Sequence, residues 1–384
     1  MTRFIIASLF FSSFVFQSYA SNELTITTWN LGLAHSYVRY ASQRIPHIIE
    51  ALKNHDTDVL CVQELWDKED IDTIKDALKE TYAYNFVMPF KQKKASKVPA
   101  CSFYRLFGPH SAGLCLVTKC RKKTGDELTD CVLNTCGKAI DKLKKKDRVC
   151  AEAFFAQVGK SSMKGFLAVL NPFKKTGLFT YKGSNGLALF SKYPLLDVTG
   201  FNMDNESTLS RRSVLYANVK KDNQNHHVAC THLSANLSNV PYTGTFESWE
   251  DESYHQAQLM TVMVEEKAKA EPIYLAGDFN CSIEDLSAGI APEATKTCGH
   301  FLKEGYFDNM LEQAECTFCD ANTLVLDAWE KDKMIDHIFV KNVDHSKFTS
   351  QVIMKDLVTI KDENGLDILS NISDHFGIKL EPLK

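Results

Sequence analysis

Ile273-Tyr-Leu-Ala-Gly277-Asp-Phe-Asn280 is a short apolar, β-type run that breaks off abruptly into an acid and an amide. A run of that length and composition, closed by turn-forming polar residues, predicts a buried strand whose end carries chemistry. The same grammar recurs to either side. Upstream lie Leu24-Thr-Ile-Thr-Thr-Trp29 before Asn30, Asp58-Val-Leu-Cys-Val62 before Gln63-Glu64, and Val228-Ala-Cys-Thr-His232. Downstream lie Ile335–Val340, which contains Asp336-His337, and Ser373-Asp374-His375, which leads into Phe376–Leu380. Tyr84–Met88, Gly186–Ser191 and Ser213–Ala217 also read as strands. Ile45, Ile48, Ile49 and Leu52, then Ile71, Ile74 and Leu78, recur at helical spacing, and a further helix is expected around Leu259, Val262 and Met263.

Strands separated by helices suggest parallel pairing, whereas the close spacing between Gly186 and His232 suggests an antiparallel meander. Together they predict an α+β fold: a four-layer α/β/β/α sandwich of two mixed β-sheets flanked by helices. Residues 91–175 interrupt the rhythm with a Lys-rich, Cys-rich stretch, read as an insertion into one catalytic domain spanning 21–384. No internal repeat or flexible linker is apparent.

Residues 1–20 stand outside that domain. Arg3 precedes the apolar Phe4–Phe16, and Ser18-Tyr19-Ala20 supplies a small-x-small cleavage site. That is the layout of a secretory signal peptide, too short for the roughly 20 apolar residues of a membrane span. The chain is therefore expected to be secreted, extracellular or periplasmic, and released as a monomer.

The 384 residues carry 44 Lys and Arg against 48 Asp and Glu, a net charge of −4, with 44% apolar residues. This is a globular composition without the basic excess that phosphate-driven nucleic-acid binding favours. The 12 cysteines fit an oxidising compartment. Six lie between Cys101 and Cys150, and four others are Cys281, Cys298, Cys316 and Cys319. For Cys316-x-x-Cys319 export favours a disulfide over a zinc site, and no connectivity follows from spacing alone. Cys61 and Cys230, each inside a strand-like run, read as buried small hydrophobes.

Acids, amides and histidines at the ends of strands are what metal-assisted phosphoester hydrolysis requires. A hard divalent ion held by carboxylates screens the phosphoester charge, and histidine moves protons near neutral pH. Thr28-Trp29-Asn30, Val62-Gln63-Glu64, Asn185–Pro194, Thr231-His232, Gly277–Asn280, Ile335–Ile338 and Ser373-Asp374-His375 occur in the order of the endonuclease/exonuclease/phosphatase superfamily, which the mature chain resembles from about residue 24 to 380.

That resemblance implies a role for each position. Glu64 resembles the principal Mg²⁺ ligand, with Asn30 and Asp374 beside it, and one or two ions are expected, with Mn²⁺ or Co²⁺ as substitutes. His375 resembles the general base, oriented by Asp336. Asp278 and Asn280 resemble the pair that positions nucleophile and phosphoryl oxygens, and His232 the residue that assists the phosphorus centre or leaving oxygen. Asn185 is the loosest match, assigned to the phosphate. His35, His226, His227 and His337 are read as structural or surface residues.

Export leaves two prominent branches, neutral sphingomyelinases and pancreatic-type deoxyribonucleases. Phe190–Leu195 and Ser213–Ala217 resemble the sphingomyelinase branch, and Arg211-Arg212-Ser213 lacks the Arg-Glu-Pro of the nucleases. The expected substrate is thus a membrane phospholipid headgroup ester, met at an interface. The alternatives are a secreted nuclease, a phosphoinositide phosphatase and a non-enzymatic binding module. Within the insertion, Gly165–Phe173 beside Lys174-Lys175 and the basic 142–148 segment reads either as a lipid contact or, over Phe166–Leu170, as a core strand.

Overall fold

The computed structural model describes residues 22–35, 37–89, 100–123, 125–155, 162–171, 181, 183–237, 242–325, 331–362 and 364–383. The expected signal peptide, and Lys174-Lys175, lie outside them. Thirteen strands are present among these residues: β1 Ile26–Asn30, β2 Val59–Gln63, β3 Tyr84–Phe86, β4 Ala188–Ser191, β5 Leu195–Asn202, β6 Ser213–Lys221, β7 Gln224–His232, β8 Ile273–Asp278, β9 Asp336–Lys341, β10 Phe348–Ile353, β11 Leu357–Lys361, β12 Asp367–Asn371 and β13 Gly377–Pro382. The helices are α1 Ala41–Asn54, α2 Lys68–Leu78, α3 Phe103–Phe107, α4 Ala112–Cys115, α5 Gly125–Lys146, α6 Arg148–Phe155, α7 Ser162–Leu170, α8 Trp249–Ala268 and α9 Thr295–Lys303.

One sheet has the order β10-β13-β1-β2-β4-β3 and the other β5-β6-β7-β8-β9, while β11 and β12 form a separate hairpin. Each large sheet contains one parallel pair, β1 with β2 and β7 with β8, among antiparallel neighbours. The two pairs are bridged by helical crossovers, through α1 and α8 respectively, as parallel connections require. The antiparallel meander is β5-β6-β7, and β4 belongs to the opposite sheet.

The apolar residues explain the layering. Ile26, Val59, Leu189, Val228, Ala276 and Ile378 come from both sheets and pack into one core between them. Ile48, Leu52, Ile71 and Ile74 pack α1 and α2 on the outer face of the first sheet. Met260, Val264 and Phe301 pack α8 and α9 on the outer face of the second. Both β1 and β2 are buried at every position; β2 is a nearly continuous apolar run, as burial on both faces permits, whereas β1 carries two buried threonines. The four layers expected from the sequence are therefore present.

Two expectations are corrected. Cys61 and Cys230 are not lone hydrophobes: they form a disulfide with a Cα separation of 5.5 Å, joining β2 of one sheet to β7 of the other. Packed sheets usually stand about 10 Å apart, so the bond marks a point of unusually close approach. Residues 166–170 belong to helix α7 rather than a strand, and Phe166 and Val169 are buried in the insertion's own core. A five-residue apolar run cannot by itself distinguish a strand from a buried helix.

Candidate active site

Parallel pairing sends both strands of a pair to the same edge, so β1, β2, β7 and β8 deliver their carboxyl ends together. Asn30 ends β1, Glu64 directly follows β2, His232 ends β7 and Asp278 ends β8. Their registers align Asn30 with Gln63 and His232 with Asp278. Asp336, the first residue of β9, pairs with Asp278, and Asp374-His375 leads into β13 beside β1.

Hydrogen bonds knit these ends across the two sheets. Asn30 Nδ2 donates to Asp278 Oδ2 at 2.9 Å, although the residues are 248 positions apart. The Asn280 backbone N–H donates to Asp278 Oδ1 at 2.9 Å, and its side-chain Nδ2 donates to the Leu233 carbonyl. His375 Nδ1 donates to Asp336 Oδ2 at 2.8 Å, leaving Nε2 3.9 Å from Asp278 Oδ2. His232 Nε2 lies 3.3 Å from the same Asp278 oxygen. Donor atoms of Asp278, Asp336 and His375 all fall within 4.8 Å of one another.

Burial and charge divide the titrating groups. Glu64 is pushed up to about 7, first by burial and then by the neighbouring Asp374 carboxylate. Asp278 is pushed up to about 6 by burial and by Asp336. For His375, burial opposes the charge, but Asp336, Asp278 and Asp374 outweigh it and hold the imidazole well above its ordinary value. His232 moves the other way: burial, Arg212 and His375 keep it neutral. One acid-rich pocket thus contains two histidines of opposite proton affinity, the division that acid and base roles demand.

The donor set fits a hard divalent cation. The Asp374 carboxylate raises the proton affinity of Glu64, so the two face a shared space, and Asn30 adds an amide oxygen, so the donors are all oxygen. Gly32, at φ +55°, leaves the Asp374 carboxylate its room, because a Cβ there would stand 2.2 Å from Oδ1.

Several residues at the site were not anticipated from the sequence. Arg44, fully buried in α1, donates to the carbonyls of Leu31 at 3.1 Å, Gly32 at 2.5 Å, Ile372 at 2.8 Å and Arg39 at 3.0 Å. It clamps the loop after β1 to the segment that carries Asp374 and His375. Arg212 sits just before β6, 8% exposed, with Nε and one Nη lacking a hydrogen-bond partner. Its field acts on Asp278, Glu64 and Glu252. Glu252 in turn is held by the hydroxyls of Thr208, Ser234 and Tyr242. Gln63 Nε2 caps the inter-sheet disulfide, reaching Cys61 Sγ at 2.8 Å.

Asn185 precedes Gly186, whose carbonyl accepts from Leu65 N, the residue after Glu64. Asn185 Oδ1 accepts from Leu187 N at 3.3 Å and its Nδ2 points to Met88 Sδ at 3.6 Å, so its side chain is engaged locally. His337 is fully buried between Asp308 Oδ2 at 2.6 Å and the Cys281 carbonyl at 2.8 Å, and His35 pairs with Asp70 at 2.7 Å. His227 joins Glu271 at 2.6 Å, and His226 is buried in the core.

Residues 27–375 match the profile of the Endonuclease/Exonuclease/phosphatase family. Among solved structures, the chain is similar to SmcL, with 14% identity over 94% of this chain and 98% of that one, at a TM-score of 0.56. Sphingomyelinase C from Streptomyces griseocarneus gives 13% identity, coverages of 94% and 99%, and a TM-score of 0.54. A beta toxin mutant from Staphylococcus aureus with bound magnesium ions gives 16%, 94% and 99%, and 0.52. At these identities the likeness is one of fold. No curated protein matches the chain in sequence.

Proposed function

The chain belongs to the Endonuclease/Exonuclease/phosphatase family, and from that premise we propose a secreted, Mg²⁺-dependent phosphodiesterase that hydrolyses a phospholipid headgroup ester in the manner of a sphingomyelinase. Phosphoester hydrolysis is the chemistry of the family. The observation that carries the reading is the Asp336–His375 pair facing Asp278, which Asn30 holds from the opposite sheet.

Each side chain has work suited to its surroundings. Asp336 fixes the His375 tautomer with Nδ1–H inward, so Nε2 can take the proton of an attacking water. Asp278, oriented by Asn30 and the Asn280 N–H, positions that water and the phosphoryl oxygens. His232, neutral and buried, hydrogen-bonds the phosphoryl or leaving oxygen. Arg212 offers two unsatisfied N–H groups on a permanent charge, a donor set aimed at an anionic phosphoryl group. Glu64, Asn30 and Asp374 would hold Mg²⁺, which when bound screens the phosphoester's charge and weakens the carboxylate field that keeps a proton on His375.

Support for a lipid headgroup comes from the fold shared with a sphingomyelinase C and from the strand sequences 190–195 and 213–217. Support for export comes from the sequence of residues 1–20 and from six disulfides. The test incubates the mature protein with sphingomyelin, phosphatidylcholine, phosphoinositides and plasmid DNA, with and without chelator. Release of a phosphorylated headgroup, abolished by chelator, is expected. Inorganic phosphate would instead identify a phosphatase, and nicked plasmid a nuclease.

A further inference from the structure

The insertion differs from the rest of the chain in charge. Residues 91–175 hold 19 lysines and arginines against six acids, a net of +13, so the remainder carries −17. A near-neutral total conceals two strongly charged parts of opposite sign. The described portion of the insertion turns its apolar residues inward: Leu106, Leu116, Ile140, Leu143, Phe166 and Val169 form a separate core. Three nested disulfides, Cys101–Cys150, Cys115–Cys136 and Cys120–Cys131, close around it.

At one end of this body some large apolar side chains remain outside. Phe103 is 70% exposed, Tyr104 73% and Val149 62%. The Cys101–Cys150 bond and the Arg105–Asp147 ion pair at 3.9 Å bring α3 against the α5–α6 junction, so the three belong to one locality. Lys142, Lys145, Lys146 and Arg148 are exposed in the same junction. This end also adjoins the catalytic rim. Lys144 Nζ stands 5.8 Å from the Tyr242 ring, Tyr242 binds Glu252, and Leu209 packs on the insertion core.

We propose that this cationic, aromatic end docks on an anionic phospholipid surface and holds the catalytic mouth beside it. The choice of partner rests on the lipid-headgroup reading of the active site, and the docking chemistry rests on the insertion itself. Aromatic and apolar side chains among lysines and arginines match the chemistry of a headgroup boundary, where each cation adds about 1 kcal/mol on an anionic leaflet. The acidic remainder is repelled by the same leaflet, so attraction through the insertion and repulsion elsewhere set one orientation. Nucleic acid fits less well, since Phe103 and Val149 offer it no charge and the rest of the chain opposes a polyanion. Within 166–170 Leu167 is exposed, whereas Phe166, Ala168 and Val169 are buried.

The test measures co-sedimentation of the full mature protein with phosphatidylcholine vesicles, with and without phosphatidylserine. Phosphatidylserine is expected to tighten binding at least about tenfold at low salt, with the gain fading as salt rises. Combining Lys142→Glu, Lys145→Glu, Lys146→Glu and Arg148→Glu is expected to weaken that binding on the order of a hundredfold. Phe103→Ala with Tyr104→Ala is expected to weaken it about tenfold. Both variants should hydrolyse a water-soluble phosphodiester at the parent rate, which shows that the fold and site are intact. Unchanged vesicle binding after charge reversal overturns the proposal, as does retention on plasmid DNA in place of vesicles. If phosphatidylserine binding is lost as expected while no lipid is hydrolysed, the substrate reading fails and the docking surface stands.

Discussion

The sandwich and the insertion solve the same problem, burying enough apolar surface to stay folded, by different means. In the sandwich, strand registers link residues hundreds of positions apart, and two sheets with helices outside supply three cores. Of its three disulfides, only Cys61–Cys230 crosses between the sheets, three residues before Glu64 and two before His232. In the insertion, helices α3–α7 make local contacts, and three nested disulfides enclose one small core. Small bodies with little core depend on such staples. The comparison suggests that long-range pairing serves where side chains must meet within tenths of an ångström. Covalent stapling suffices where a surface only has to be displayed.

The sharpest way to break this contrast is to remove disulfides from each region. Replacing Cys61 and Cys230 by serine releases a sequence separation of 169 residues and should cost about 5 kcal/mol in chemical denaturation. Activity should fall with it, because β2 and β7 carry Glu64 and His232. Next in size, Glu64→Ala or His375→Ala should lower turnover on the order of a thousandfold while the melting temperature holds. Undiminished turnover in both variants would remove the sandwich edge from the chemistry. Third, the Cys115→Ser, Cys136→Ser double variant opens a separation of 21 residues and should cost about 3 kcal/mol, confined to the insertion's own unfolding. Hydrolysis of a soluble phosphodiester should survive it. If activity collapses instead, the two regions fold as one.

A smaller effect is expected at Arg212. Arg212→Ala should reduce kcat/KM about a hundredfold, with partial recovery in Arg212→Lys, because a point charge replaces a directional donor. The least effect concerns acid. Burial and the nearby Lys379 push His55 down to about 4, and its ring bonds Thr27 Oγ1 in the first sheet. The unfolded chain takes up that proton near pH 6.5, so the share of stability that His55 contributes is lost as pH falls from about 6.5 toward about 4. His55→Gln should therefore lose less stability than the parent across that window, read as the denaturation midpoint against pH.

Much of the sandwich was legible because its strands end in polar residues that break an apolar run. Asn30, Glu64, His232, Asp278 and His375 each stand at such a break, and parallel pairing carries the breaks to one edge. Other features had no local mark. Cys61 inside Val-Leu-Cys-Val looks like any small core residue, and nothing nearby in the chain says that Cys230 faces it across two sheets. Arg44 reads as the polar face of an amphipathic helix, and its burial makes sense only once four carbonyls converge on it. Arg212 stands in a polar Arg-Arg-Ser stretch that does not mark it as buried. The strands β5, β10, β11 and β12 are not among those the sequence predicts, and β5, β11 and β12 are partly exposed and lack a continuous apolar run.

The Cys61–Cys230 bond also encloses the whole interval from residue 91 to 175 in one covalent ring. A protease that cuts after any lysine in that interval severs the backbone without separating the halves, since the bridge still joins them. Glu64 would remain on one fragment and His232, Asp278 and His375 on the other, tethered as before. Such a nicked molecule would run as a single species on a non-reducing gel and as two bands only once thiol is added.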